Sequence, residues 1–278
     1  MNLLLLQIGV FIFGAIIGSF LNVVILRYGV KSLRGRSKCP VCGKKLKWFE
    51  LIPIFSFLFF KGKCRNCQRK ISWQYPMIET ITGLLFLLIF NFSSFAESYG
   101  GQAFSVFSSQ FLELIFLWLI FSLLIVIFVY DLYHKIIPDA FVFAFAGLSL
   151  ARVMIDFNGF SWTADIWAGP ILAIPFALLW LSSGGRWLGL GDAKLILGIG
   201  WFLGLAKGSS ALILAIWAGA LTGLILVALS RFLEKKQLFF KNKNFTIKSK
   251  LPFAPFLILG TALVFFFGWD VWGLSLIL

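Results

Sequence analysis

The sequence predicts an all-α polytopic membrane protein, with about eight transmembrane helices and a small cytoplasmic loop that holds four cysteines. Three observations predict it. The first is composition: of 278 residues 60% are hydrophobic and only 13% charged, with 34 Phe and 11 Trp. Soluble globular chains carry about 45–50% apolar and about 25% charged residues. The second is a series of apolar stretches long enough to cross a bilayer, and the third is the confinement of most basic residues to two loops. Together these exclude a water-soluble enzyme, a disordered chain and a secreted disulfide scaffold.

A bilayer-crossing helix needs about 20 mostly apolar residues. The stretches that qualify run roughly over 3–26, 76–92, 111–130, 138–156, 164–182, 190–206, 210–230 and 253–276. The first lacks a basic leading region, and its GAIIGSFLNVVILR continues apolar too far for a removed signal peptide, so it reads as a retained span. No stretch alternates apolar and polar residues in the manner of barrel strands.

Lys and Arg gather in cytoplasmic loops. Of the 25 here, 13 lie between Arg27 and Lys70 and seven between Arg231 and Lys250. Eight spans with the N-terminus outside place both loops in the cytoplasm, together with Lys135, Arg186 and Lys194. Only Arg152 and Lys207 then fall on the outer side. The net charge of +14 is thereby explained by topology, not by a nucleic-acid partner. The segment RFLEKKQLFFKNKNFTIKSK reads as a solvated linker, the alternative being a segment lying on the anionic inner leaflet.

All four cysteines fall in the first basic loop, as Cys39-Pro-Val-Cys42 and Cys64-Arg-Asn-Cys67. Two CxxC turns can aim four thiolates at one centre, the ligand set of a closed, structural Zn²⁺ site. Gly43 and Gln68 take the turn position just after each pair. Two disulfides, which a reducing cytoplasm disfavours, and four unliganded thiols are the competing readings. Between the pairs, LKWFELIPIFSFLFFKG is interrupted by Pro53 and reads as a hydrophobic hairpin lying against the membrane instead of a span.

With only 11 Asp and Glu, each can be weighed. A carboxylate inside or at the edge of a span is a functional candidate. Glu97, Asp156, Asp165 and Asp270 fall at outer ends or loops, Glu50 and Glu234 in cytoplasmic loops, and Glu113 at a helix start. Glu79, Asp131, Asp139 and Asp192 remain. Asp131 ends the third span and Asp192 opens the sixth. Two spans separate them, so both lie at the cytoplasmic edge, where helix packing could join them. Two facing carboxylates share a proton and can activate water, which is aspartic-protease chemistry. The alternative is an interfacial Asp131 and an Asp192 that caps its helix. Gly189 and Gly191 would let backbone or substrate approach Asp192. Asp139, after Ile-Pro, suits the positive end of a helix dipole, the alternative being a catalytic role. The lone His134 sits in an interfacial turn, and no Ser/His or Cys/His nucleophile system is readable.

These residues resemble the bacterial type IV prepilin peptidases, membrane aspartic proteases of the GxGD class. The resemblance runs through GSFLNVVILR, the paired CxxC module around KWFELIPIFSFLFFKGKC, ISWQYPMIE, YDLYHKIIPD, GLGDAKL and LPFAPFLILG. It implies that Asp131 and Asp192 are the catalytic pair, with Gly189, Gly191 and Lys194 as supporting motif positions. It implies a division into an N-terminal part, 1–92, whose loop 27–70 binds zinc and is associated with methyl transfer, and a six-helix peptidase part, 111–278. The implied substrate is a prepilin or pseudopilin, cleaved after Gly on the cytoplasmic face of a bacterial inner membrane. The new N-terminus would be methylated with S-adenosylmethionine, Glu79 being the candidate for the methyl-donor site. A helix-start role is the alternative for Glu79. The rival functional readings are a transporter, and a non-catalytic pilus or secretion assembly factor that docks a partner on the zinc loop.

Overall fold

The structure is a computed structural model that describes residues 3–30, 32, 35–39, 41–92, 104–155, 162–235, 252–269 and 271. Glu97, Asp156, Asp270 and most of the second basic loop lie outside the described residues. Among those described, the chain forms eight helices and no strand: α1 (Leu3–Arg27), α2 (Phe55–Phe59), α3 (Gln74–Phe92), α4 (Phe104–His134), α5 (Asp139–Ile155), α6 (Trp162–Ser183), α7 (Leu190–Lys235) and α8 (Ala254–Phe267). Five stretches, in α1, α3, α4, α6 and α7, are long and apolar enough to cross a membrane. The chain divides into two compact units, Met1–Val126 and Ile127–Leu278.

In the first unit α1 packs along α3. Small residues set the spacing: a Cβ on Gly14 would lie 2.9 Å from the Cα of Gly83, and one on Gly18 would lie 2.8 Å from the Cα of Glu79. Missing side chains let membrane helices approach to backbone contact, where dispersion replaces the absent hydrophobic drive. Asn22 is buried at this seam and donates to the carbonyl of Tyr75 at 3.2 Å. Farther along, Trp118 of α4 stacks on Phe86 with ring centres 4.9 Å apart and donates its indole N–H to the Phe86 carbonyl.

In the second unit α7 is the central element, packed by α5, α6 and α8. Its 46 residues are broken at Gly204, whose φ of 76° and ψ of 179° are open essentially to glycine alone. A straight helix would separate residues 200 and 208 by about 12 Å. Instead a Cβ on Gly208 would come 3.6 Å from the Cα of Gly200, so the chain folds back sharply. The apolar run Leu190–Ala228, 39 residues long, is therefore two arms, as the two expected spans over 190–206 and 210–230 require. The reversal falls at Gly204, inside the expected 190–206 span, and not in the expected break at 207–209, which is helical, the hydroxyls of Ser209 and Ser210 donating back to the Ala206 carbonyl. Every other expected span meets a helix, the last one shortened: α8 ends where Gly268 takes a left-handed cap.

Candidate active site and metal centre

Asp131 occupies the last turn of α4, and Asp192 the first turn of α7. Both are buried, at 4% and 8% exposure, and Asp131 acts electrostatically on Asp192. Each is held by a backbone donor. Gly189 N–H donates to Asp192 Oδ2 at 3.2 Å, the reciprocal half of a capping box, with Asp192 three residues into the helix. Ala254 N–H donates to Asp131. That amide belongs to the first turn of α8, where the N–H groups have no partner inside the helix and favour a carboxylate. Asp131 Oδ2 is buried and has no hydrogen-bond partner. A buried carboxylate oxygen without a partner is costly, and it marks a place for a water or substrate group.

The glycines of the Gly189-Leu190-Gly191-Asp192 motif have separate duties. A Cβ on Gly191 would lie 2.9 Å from the Cβ of Ile137, so only glycine lets the start of α7 close against the turn that precedes α5. A Cβ on Gly189 would lie 3.3 Å from Asp192 Oδ2 and crowd the carboxylate itself. Lys194 pairs with Asp139, Nζ to Oδ1 at 2.7 Å, and also lies over the Phe143 ring. Asp139 thus sits in the first turn of α5 with a lysine partner, at an exposed position apart from the buried pair. His134 lies against Tyr130, ring centres 4.4 Å apart, at the end of α4.

In the first unit the four cysteine sulfurs, from Cys39, Cys42, Cys64 and Cys67, all lie within 4.8 Å of one another, and the thiols are free. A tetrahedral zinc–thiolate shell with bonds of about 2.3 Å spaces its sulfurs by about 3.8 Å. Cys39 Sγ and Cys67 Sγ are 3.8 Å apart, so the cluster fits the ion. The two turns repeat each other. Cys39 N–H donates to Lys44 O and Gly43 N–H to Cys39 O, while Cys64 N–H donates to Arg69 O and Gln68 N–H to Cys64 O, all at 2.9 Å. Gly43 and Gln68 take φ of 69° and 54°, the left-handed position that such a turn demands. Backbone N–H groups of Cys67 and Asn66 hold the Cys64 thiol down to about 6, in the range where it binds metal as thiolate.

Glu79 is buried, at 7% exposure, and its Oε2 accepts the Ile54 N–H at 2.7 Å. Ile54 has φ 61° and ψ −51°, and Phe55 N–H closes back on Pro53 O across it. This is a γ-turn of the rare positive-φ kind, strained for a β-branched residue. The expected hairpin is therefore a 3-10 turn over Trp48–Leu51 followed by α2, clasped to α3 through this carboxylate.

Sequence reading missed Ala254 and Ile137 as parts of the site. Ala254 lies in the LPFAPF stretch, whose Pro255 near the start of a helix was the available signal. A family model described as Bacterial Peptidase A24 N-terminal domain matches residues 12–92, and one described as Type IV leader peptidase family matches residues 118–226. A prepilin leader peptidase/N-methyltransferase of Bacillus subtilis is 32% identical over 93% of this chain and 93% of its own. Proteins of the same name from Myxococcus xanthus and Xanthomonas campestris are 32% and 28% identical, over 80% and 93% of this chain and 64% and 90% of theirs. No solved structure matches the chain.

Proposed function

The chain belongs to the type IV leader peptidase family, and on that premise we propose that Asp131 and Asp192 are its catalytic pair, cleaving the leader from a prepilin or pseudopilin. The observation that carries this is a pair of buried carboxylates that act on one another electrostatically, one with an unpartnered oxygen, at the ends of helices that α5 and α6 separate in the chain. Carboxylates that interact in this way titrate as a pair and can share a proton. One, ionised, takes a proton from a water held between them as that water attacks the scissile carbonyl carbon. The other, protonated, donates a hydrogen bond to the carbonyl oxygen. Collapse of the tetrahedral intermediate breaks the C–N bond, the departing nitrogen takes a proton from the pair, and a free amine and a carboxylate result. No covalent intermediate forms. Gly189 and Ala254 fix the two carboxylates through backbone N–H groups, which no substitution other than proline removes.

In this reading both aspartates face the cytoplasm with the N-terminus outside, which the distribution of Lys and Arg supports, and the family resemblance implies a bacterial inner membrane and cleavage after Gly. Residues 1–92 form the part with the metal loop, and residues 111–278 form the peptidase part. Cys39, Cys42, Cys64 and Cys67 hold a Zn²⁺, which supplies a closed structural cross-link and no open position for chemistry. The new N-terminal amine is then methylated, S-adenosylmethionine supplying the methyl group. The seam at Glu79 does not fit that donor. One carboxylate oxygen is committed to Ile54, and α1 touches α3 there at backbone distance, leaving no room for a nucleoside. No step is assigned to it.

The test is cleavage of a purified prepilin in liposomes by wild type, Asp131→Asn and Asp192→Asn, with mass spectrometry of the product N-terminus. Loss in both folded variants establishes the pair. Cleavage that survives in either removes that residue from the mechanism. A product heavier by one methyl substitution when S-adenosylmethionine is present establishes the second reaction.

A further inference from the structure

The metal loop carries an aromatic ridge that neither catalysis nor metal binding uses. Trp48 packs edge-on against Phe49, Phe49 meets Phe60, Phe60 meets Phe59 edge-on, and Phe59 stacks with Phe55, ring centres 5.2 to 6.5 Å apart. Beneath the ridge, Phe57 is the buried keystone, seated against Trp73 and under Gly62, where a Cβ would lie 2.9 Å from its ring. Above it the apolar surface is bare. Trp48 is 77% exposed, Phe59 70%, and Phe55 and Leu58 nearly as much. Such a contiguous patch is unusual on a water-facing loop.

Two features decide what covers it. Basic side chains border the ridge: Lys47 and Arg65 stand 6.0 and 5.7 Å from the Phe49 ring, and Lys45, Lys61 and Lys63 are exposed nearby. The only acid between Arg27 and Lys70 is Glu50, and its carboxylate is engaged by the Lys47 N–H. The loop also leaves α1 and enters α3, both long and apolar enough to span the bilayer, so the ridge is tethered at both ends to the membrane. Aromatic rings with a polar border are at home at the headgroup level, and basic residues beside them are drawn to an anionic leaflet.

We propose that the Trp48–Phe60 ridge inserts into an anionic phospholipid surface, docking the metal loop onto the membrane from which it emerges. Phe55, Leu58 and Phe59 enter the headgroup–acyl boundary, while Lys47, Lys61 and Arg65 meet lipid phosphates. The γ-turn at Ile54, clasped by Glu79 of α3, fixes the angle at which the ridge meets the surface. The proposal is independent of the catalytic assignment.

The test places the photo-crosslinker p-benzoylphenylalanine singly at Phe55, Phe59, Phe57 and Phe20 of the full chain. Each variant is reconstituted in vesicles of phosphatidylcholine alone or enriched in phosphatidylglycerol, with a prepilin added. Phe20, exposed on the spanning helix α1, serves as the lipid-facing reference. The expected result is lipid-adducted peptide at 55 and 59, several-fold above the buried 57 and several-fold higher in the anionic vesicles. Adducts to the prepilin or to a second copy of the chain in place of lipid would overturn the proposal. So would absence of lipid adducts at 55 and 59 while position 20 labels, or equal yields on the two vesicles.

Discussion

Glu79 and Ile54, 25 positions apart in sequence, are joined by a 2.7 Å hydrogen bond that ties a strained turn of the metal loop to the first turns of a membrane helix. The carboxylate offsets the cost of holding a β-branched residue at positive φ. Removing it with Glu79→Ala leaves the Ile54 N–H unpaired, a loss of roughly 1.5–3 kcal/mol. The expected outcome is a lower temperature for metal release, measured by a zinc-sensitive dye on heating. Glu79→Gln keeps an acceptor oxygen and loses less.

Asp131→Asn and Asp192→Asn each lower cleavage by about 10²-fold or more, the scale of a lost general acid or base. Asparagine retains an oxygen for the N–H of Ala254 or Gly189, so both variants fold, as circular dichroism in detergent would record. Asp139→Asn costs less than about tenfold, because its exposed pair with Lys194 is worth about 1 kcal/mol or less. Combining it with Lys194→Met costs little more than Lys194→Met alone, since the ion pair is removed twice and only the contact with Phe143 is lost in addition.

Gly191→Ala forces a methyl onto Ile137 and is expected to cost about 1–3 kcal/mol of packing energy. Cleavage rate falls accordingly. Ile137→Ala in the same chain restores part of it by making room, an outcome that a direct chemical role for Gly191 would not allow.

Gln68 holds by strain the conformation that Gly43 adopts freely. Gln68→Gly relieves about 1 kcal/mol, and Gly43→Val imposes a similar or larger penalty. A chelator titration reads both, with metal retained longer in the first variant and surrendered sooner in the second. Chelation of wild type opens the loop to proteolysis and added Zn²⁺ closes it, while Cys64→Ser is not rescued.

Hydropathy alone located the spans, because lipid demands continuous apolar helices and leaves little choice. CxxC spacing showed which four cysteines gather at one point, because a knuckle is a local structure; even the turn positions of Gly43 and Gln68 were readable from it. Counting crossings put Asp131 and Asp192 at the same edge of the helices. What stayed hidden depends on distant chain. Nothing near Ala254 signals that its amide serves Asp131, and nothing near Glu79 signals a partner in the preceding loop. The reversal at Gly204 escaped because Lys207-Gly208-Ser209 is the polar break in the apolar run, while in the structure that stretch is helical and the Ser209 hydroxyl is satisfied within the helix.

The amide that seats Asp131 belongs to the final helix, with α5, α6 and both arms of α7 synthesised in between. A nascent chain that has already inserted Asp131 and Asp192 therefore still lacks part of the surroundings of Asp131. The carboxylate acquires this donor only once α8 has been made, so its site is completed late in synthesis.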